Sequence, residues 1–394
     1  MVGKDDESGK CEKVAVSKKQ FALLLVCSLV PWTCGNGLLP LLPVYAARLG
    51  ANSAVAGYYL AFAYIAIALG AISAGWVSDG LHRRKLPLII ASSLMVPLVW
   101  LLGHVNTIWE LTVITAIIWL CGGLGLALIS ILAGLSAGEN ERGKIFGTLA
   151  LTSGLGALIG GLGVGWLVDR WGYISMFNIL AIFSAAWPLV ALLLEEKDKK
   201  QPQVINTHEE KSPGMGKSFY WLFTATLLFA IPGFFAALIR SLVMNKLGFS
   251  PLDINSTGAI GGLVAMPFPL LMGWISDRIG RKTFLYIAYL LGFASFVLLA
   301  FSTALWHFLA AFALGGIAGG AYGVGNALVT DLVPRESIGK GLAVIASAEW
   351  IGAVVGFATA GYLLQNLGLA LTFTIGGCVA LAAVGLLIPV YDRS

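Results

Sequence analysis

Residues 273 to 282 read GWISDRIGRK, a charged phrase set between two apolar runs, and residues 75 to 84 read GWVSDGLHRR, the same phrase altered in places 198 positions earlier. The 394-residue chain that carries them is 58% hydrophobic and only 11% charged, with mean hydropathy +0.86. A soluble domain averages about 25% charged residues, so this composition could not build a water-facing surface. The chain reads as a membrane protein whose two halves each spell the phrase once.

Outward from the phrases, apolar stretches of roughly 20 residues recur, long enough to cross a hydrocarbon core as helices. Twelve are expected: 21–45, 55–77, 86–103, 108–136, 145–168 and 174–194, then 219–243, 257–275, 283–301, 306–332, 338–364 and 369–390. Residues 195–217, rich in charge and holding two prolines, read as a linker between six-span halves covering 21–194 and 218–394. Residues 1–20 form a polar tail, and the run behind it is too long for a cleaved signal. Other repeats support the halving. RLG at 48–50 answers KLG at 246–248, and GWLVDRWG at 165–172 answers GYLLQNLG at 361–368. The expected fold is therefore an all-α integral membrane protein of twelve transmembrane helices in two pseudo-symmetric six-helix bundles.

If the amino terminus is inside, every Lys and Arg except Arg48, Arg170, Arg240 and Lys246 falls on the inner side, as the positive-inside rule requires. Both termini are then cytoplasmic and the protein sits multi-pass in the plasma membrane. The net charge of +5 is a topology signal, not a nucleic-acid surface. The five cysteines lack metal-like spacing, and nothing calls for a cofactor. The four histidines form no HExxH and no Ser or Cys lies near a basic partner, so an enzyme is not expected.

The phrase, its position after the second and eighth spans and its duplication resemble the loop motif G-x-x-x-D-R-x-G-R-K/R of the major facilitator superfamily. A doubled six-helix unit with solute bound midway across the bilayer is one way transporters are built. The resemblance spans the whole chain and implies a gating latch carried by Gly75, Asp79, Arg83 and Arg84 and by Gly273, Asp277, Arg278, Gly280 and Arg281. Gly75 and Gly273 would let the opposing half approach closely. Asp79 and Asp277 would meet the amino ends of the eleventh and fifth spans. The first copy has Gly80 for Arg and His82 for Gly, so it loses a cation and the residue that most easily takes a positive φ. Glycine ladders Gly156, Gly160, Gly165 and Gly352, Gly356, Gly361 suggest tight crossing between the halves. The stretch GLGALIGGLGVG partly resembles the antiporter motif of proton-driven drug exporters, but Gly161 replaces the expected Pro, and Trp119 and Gly122 stand where those exporters show Arg and Gln.

Charges inside a membrane cost about 2.5 to 3.5 kcal/mol each, so the survivors are functional candidates. Glu349 lies near mid-membrane among small residues and is a candidate for proton coupling or, alternatively, a packing residue. Arg240 either snorkels to headgroups or contacts an anionic solute. Asp331 is expected to pair with loop cations. The resemblance places the first, fourth, seventh and tenth spans around the cavity and so points to Asn36, Ser130, Tyr322 and Asn326. Pro31, Pro40, Pro43 and Pro232 are expected to bend or break the first and seventh spans. The reading is a monomeric transporter of a small neutral or amphipathic organic solute, working by alternating access with proton-coupled export. Uptake or facilitated diffusion of a small organic anion through Arg240 stands as the alternative, and a transporter-like sensor as a rival from another class.

Overall fold

The computed structural model describes residues 17–81, 83–136, 142–196, 215–267, 271, 275–276, 278–334 and 337–390, excepting the side chains of residues 79, 81 and 142–144. The helices are α1 Lys18–Leu38, α2 Leu42–Arg48, α3 Ser53–Leu81, α4 Lys85–Leu102, α5 Ile108–Ser136, α6 Arg142–Ser184 and α7 Ala186–Leu193. They continue with α8 Lys217–Lys246, α9 Pro251–Ala265, α10 Arg281–Ala300, α11 Leu305–Ala318, α12 Ala321–Leu332 and α13 Ile338–Gly385. Among the described residues, nine helical stretches are long and apolar enough to cross a membrane. Two of them run 49 and 48 residues, about twice what one crossing needs. Each is two spans meeting at a single glycine, Gly172 (φ 75°) in α6 and Gly368 (φ 76°) in α13, where only a residue without Cβ turns so sharply at no steric cost. The eighth span is described only in part, as α9, which brings the chain to its twelve crossings.

Two spans are broken, the first where its prolines are expected to bend or break it and the tenth where a continuous helix is expected. The first stops at Leu38 and resumes as α2 at Leu42, with Pro40 in the turn and Pro43 in the new helix's first turn. Pro31 and Pro232 instead lie inside unbroken helices. The tenth span is interrupted at Gly319 and Gly320, between α11 and α12, without any proline.

Packing repeats across the two halves. Helix α1 lies on α6 and α3 on α5 in the first bundle; α8 lies on α13 and α9 on α11 in the second. The bundles meet along two equivalent seams, α6 against α9 and α3 against α13. The glycine ladders serve both purposes, which corrects the expectation that they cross only between halves. A methyl group on Gly156 or Gly160 would collide with Trp32 or Thr33 of α1, and one on Gly352 or Gly356 with Ala230 or Ile231 of α8, all within one bundle. Only the last member of each ladder faces across: Gly165 against Leu252 and Asn255, Gly361 against Ser53 and Gly57. A spacing of four keeps the first two on one stripe, while the next step of five turns the third about 140° away.

The seams are closed on one side only. The three described hydrogen bonds between bundles lie in the half away from the termini: Asp169 accepts from Leu252 N at 3.1 Å, Asn255 donates to Gly37 O at 2.9 Å, and Gln365 accepts from Ser53 N at 3.3 Å. Toward the face that carries the termini, a methyl on Gly75, Gly80, Gly147 or Gly339 would meet open space. Among the described residues, the bundles are therefore joined at the far face and show no such contact at the terminal face. Within the first bundle the terminal face is fastened by the chain beyond α7. Gln20 exchanges two hydrogen bonds with the Glu195 backbone, and the Glu196 carboxylate accepts from Arg84 N (2.5 Å) and Lys85 N (3.2 Å) at the start of α4. A carboxylate at a helix amino end satisfies orphan donors and complements the dipole.

Gly160→Ala should lower the thermal unfolding temperature of the purified protein, with a cost of about 1–3 kcal/mol typical of overpacking. Gly163→Ala, on the same helix but facing open space, should leave it unchanged.

Candidate solute cavity

A cavity of about 520 Å³ opens between the bundles, within the roughly 300–1,000 Å³ range of small-molecule sites. Its aromatic wall is Phe229, Phe293, Phe296, Phe312 and Tyr322, and its first-bundle side is Asn36, Ser153 and Ala157. Phe229 stacks on Tyr289 with ring centroids 4.0 Å apart and leans on Tyr322 at 5.8 Å, so the wall is itself held in place. Gly319 and Gly320, at the break in the tenth span, line the same space. Irregular backbone at membrane depth is tolerated where it borders a cavity, and its place here marks the site. The paired glycines of GGIAGG, 315 to 320, were the sequence signal for this break.

The expected polar residues divide. Asn36 donates to Ser153 O at 3.1 Å and borders both the main cavity and a smaller one of about 80 Å³ inside the first bundle, beside Tyr64, Trp119 and Gly122. Tyr322 lines the main cavity. Ser130 is exposed and bonded to its own helix at Leu126 O, and Asn326 is exposed one turn beyond Tyr322; neither borders either cavity. Arg240 does not snorkel. It is only 3% exposed, its Nη1 donates to Thr257 Oγ1 at 2.9 Å, and its guanidinium stacks at 4.1 Å on Phe312. Its Nε is buried without a hydrogen-bond partner among the described residues, behind the cavity wall formed by Phe312 and Gly258.

Glu349 is partly buried on α13 and makes no ion pair among the described residues. Its neighbour in sequence, Trp350, packs on Tyr64 of the other bundle, and Tyr64 and Tyr322 each border a different cavity. Around Tyr64 an aromatic cluster closes the seam: Phe234 at 5.2 Å, Phe357 at 5.0 Å and Trp350 at 6.3 Å between ring centroids. Sequence reading missed this cluster because aromatic residues on apolar helices carry no periodic mark of which neighbour they touch.

Of the repeated phrase, the side chain of Asp79 and residues His82, Gly273 and Asp277 lie outside the described residues. A methyl on Gly75 would meet nothing among the described residues. Arg83 and Arg278 are exposed, while Arg84 is buried with its Nε on Ser78 Oγ at 2.9 Å. Gly280 takes φ 86° at the start of α10. Arg281 pairs with Asp331 at 2.5 Å and donates to Ala327 O, so this cation holds the ninth span to the tenth within one bundle. The pairing expected for Asp331 is thus found.

The model for the Major Facilitator Superfamily matches residues 21–243 and 222–393. The chain is 24% identical over 362 residues to the multidrug resistance protein MdtG of Escherichia fergusonii, covering 87% of each, and 32% identical over 291 residues to that of Serratia proteamaculans, covering 68% of each. In structure it is similar to the nucleoside transporter NupG (TM-score 0.72, 15% identity, 95% of this chain and 100% of that one). It is also similar to an inward-facing, unoccupied bacterial homologue of the human lysosomal transporter Spinster (TM-score 0.67, 15% identity, 94% and 95%).

A side chain placed at Gly233, which borders the cavity and faces open space, should fill the site without disturbing the fold. Gly233→Phe is expected to keep its unfolding temperature while losing at least tenfold in affinity for any solute that stabilises the unmodified protein in a thermal-shift screen.

Proposed function

The chain belongs to the major facilitator superfamily, and on that footing we propose that it exports a drug-sized neutral or amphipathic organic solute by alternating access in exchange for protons. The observation that carries this reading is the pairing of an aromatic, sparsely polar cavity with a half-buried carboxyl, Glu349, which makes no ion pair among the described residues and adjoins Trp350 of the seam cluster. The terminal face, where the cations gather, is the cytoplasmic side of the plasma membrane. Residues 21–194 and 218–394 move as two bundles joined by the linker 195–217, and a monomer suffices because the cavity is complete within one chain. The multidrug names of the relatives support an amphipathic cargo.

In this scheme the cargo enters from the terminal face and stacks among Phe229, Phe296 and Phe312, oriented by Asn36 and Tyr322. Protonation of Glu349 removes the cost of enclosing an ionised carboxyl, which allows the seam around it to close and repack. When the far face parts, the cargo leaves and the acid meets the outer solution. Asp79 and Asp277 then latch the inner side shut.

A second reading follows from Arg240. A guanidinium buried with Nε unpaired, one layer behind the cavity wall, suits a cargo that carries a carboxylate. Glu349→Gln in proteoliposomes should lower proton-driven accumulation at least tenfold while leaving counterflow exchange of the same solute intact; unchanged pH-dependent accumulation would remove the proton role. If the anion reading holds instead, Arg240→Gln should abolish flux of aromatic carboxylates and spare that of their amides.

A further inference from the structure

The far-face seam holds two contacts related by the internal repeat. Helix α9 begins with Ser250 as its cap and Pro251 as its first residue. Pro251 has no N–H, and the third donor, Asp253 N, is taken by Ser250 Oγ at 3.1 Å. That leaves Leu252 N as the open donor of the first three positions, and Asp169 of the other bundle accepts from it. At the second seam Asn52 caps α3 through Val55 N at 2.9 Å, and Ser53 N is left to Gln365 of the other bundle. Asp169 and Gln365 are 196 positions apart, the spacing that relates the fifth span to the eleventh, and they hold equivalent places in GWLVDRWG and GYLLQNLG.

We propose that Asp169 and Gln365 form the far-face clasp of the transport cycle: each bundle ends a helix in an oxygen acceptor that completes the amino end of the opposing bundle's helix, so the pair sets the balance between far-closed and far-open states. The two ends differ in strength. Asp169 presents a full negative charge to a partly positive helix end, whereas Gln365 presents a neutral carbonyl at the longer distance. Both contacts break when the bundles part at the far face, because donor and acceptor belong to different bundles. Neither depends on what the cargo is or on Glu349. Packing alone does not require these residue types here, since both lie at the rim of the seam and Asp169 is exposed.

Spin labels on cysteines placed at Asn106 and Thr303, exposed far-face positions of the two bundles, report the opening as a distance distribution in protein with the native cysteines replaced. Asp169→Ala should shift the ratio of far-open to far-closed molecules about fivefold toward open, as expected for loss of one such hydrogen bond. Asp169→Asn, which keeps an acceptor, should recover most of the closed population. Gln365→Glu should deepen it and slow any measured flux. The proposal is overturned if Asp169→Ala and Gln365→Ala both leave the distribution unchanged. Should Asp169→Ala fail to fold, Gln365→Glu decides alone, and an unaltered distribution there overturns it equally.

Discussion

The structure depends on backbone meeting backbone across the seams. At Gly57 and Gly361 and at Gly161 and Gly165, helices of opposite bundles come so close that one added methyl group would strike main-chain atoms. In a bilayer no hydrophobic force drives helix against helix, so attraction rests on close packing, and small residues are what permit it. The same contacts use few polar groups, and only three described hydrogen bonds join the bundles. A joint built this way holds when shut and costs little to part, which is what an alternating pathway asks of it.

Much of this was legible in the sequence. Low charge, twelve apolar runs and a phrase spelled twice are properties of composition and order, and they led directly to a doubled helical membrane fold. Gly280 could be foreseen at a positive φ from its place in the phrase, and Asp331 with a cation from its closeness to the loop. The site was read less well. Asn36 and Tyr322 border the cavity, yet Ser130 and Asn326 do not, because span membership fixes a residue's depth and neighbourhood but not which way one turn of helix points. Of the two readings of Arg240 the snorkelling one fails, because it considers only the lipid route, whereas a hydroxyl on α9 and the face of Phe312 lay nearer. The ladders misled for a related reason: spacing shows that glycines share a stripe but not which partner fills it.

Polar groups are few here, and their distribution is uneven in a telling way. Fastenings inside each bundle use strong acceptors, as with Glu196 at the start of α4 and Asp331 on Arg281. Contacts between bundles use single hydrogen bonds to backbone. Two buried atoms beside the far seam, Arg240 Nε and Asn255 Oδ1, have no hydrogen-bond partner among the described residues.

The glycine corners at Gly172 and Gly368 join a seam helix to its neighbour without any loop. Behind each corner lies a helix whose large apolar side chains, among them Ile182 and Leu189 in the first bundle and Leu371 and Leu381 in the second, are open to the surroundings. With no slack at the elbow, a tilt imposed on the outer arm by the thickness or lateral pressure of the lipid is passed to the arm at the seam. The bilayer thereby bears on the seams at two places, each joined to its seam helix by one residue.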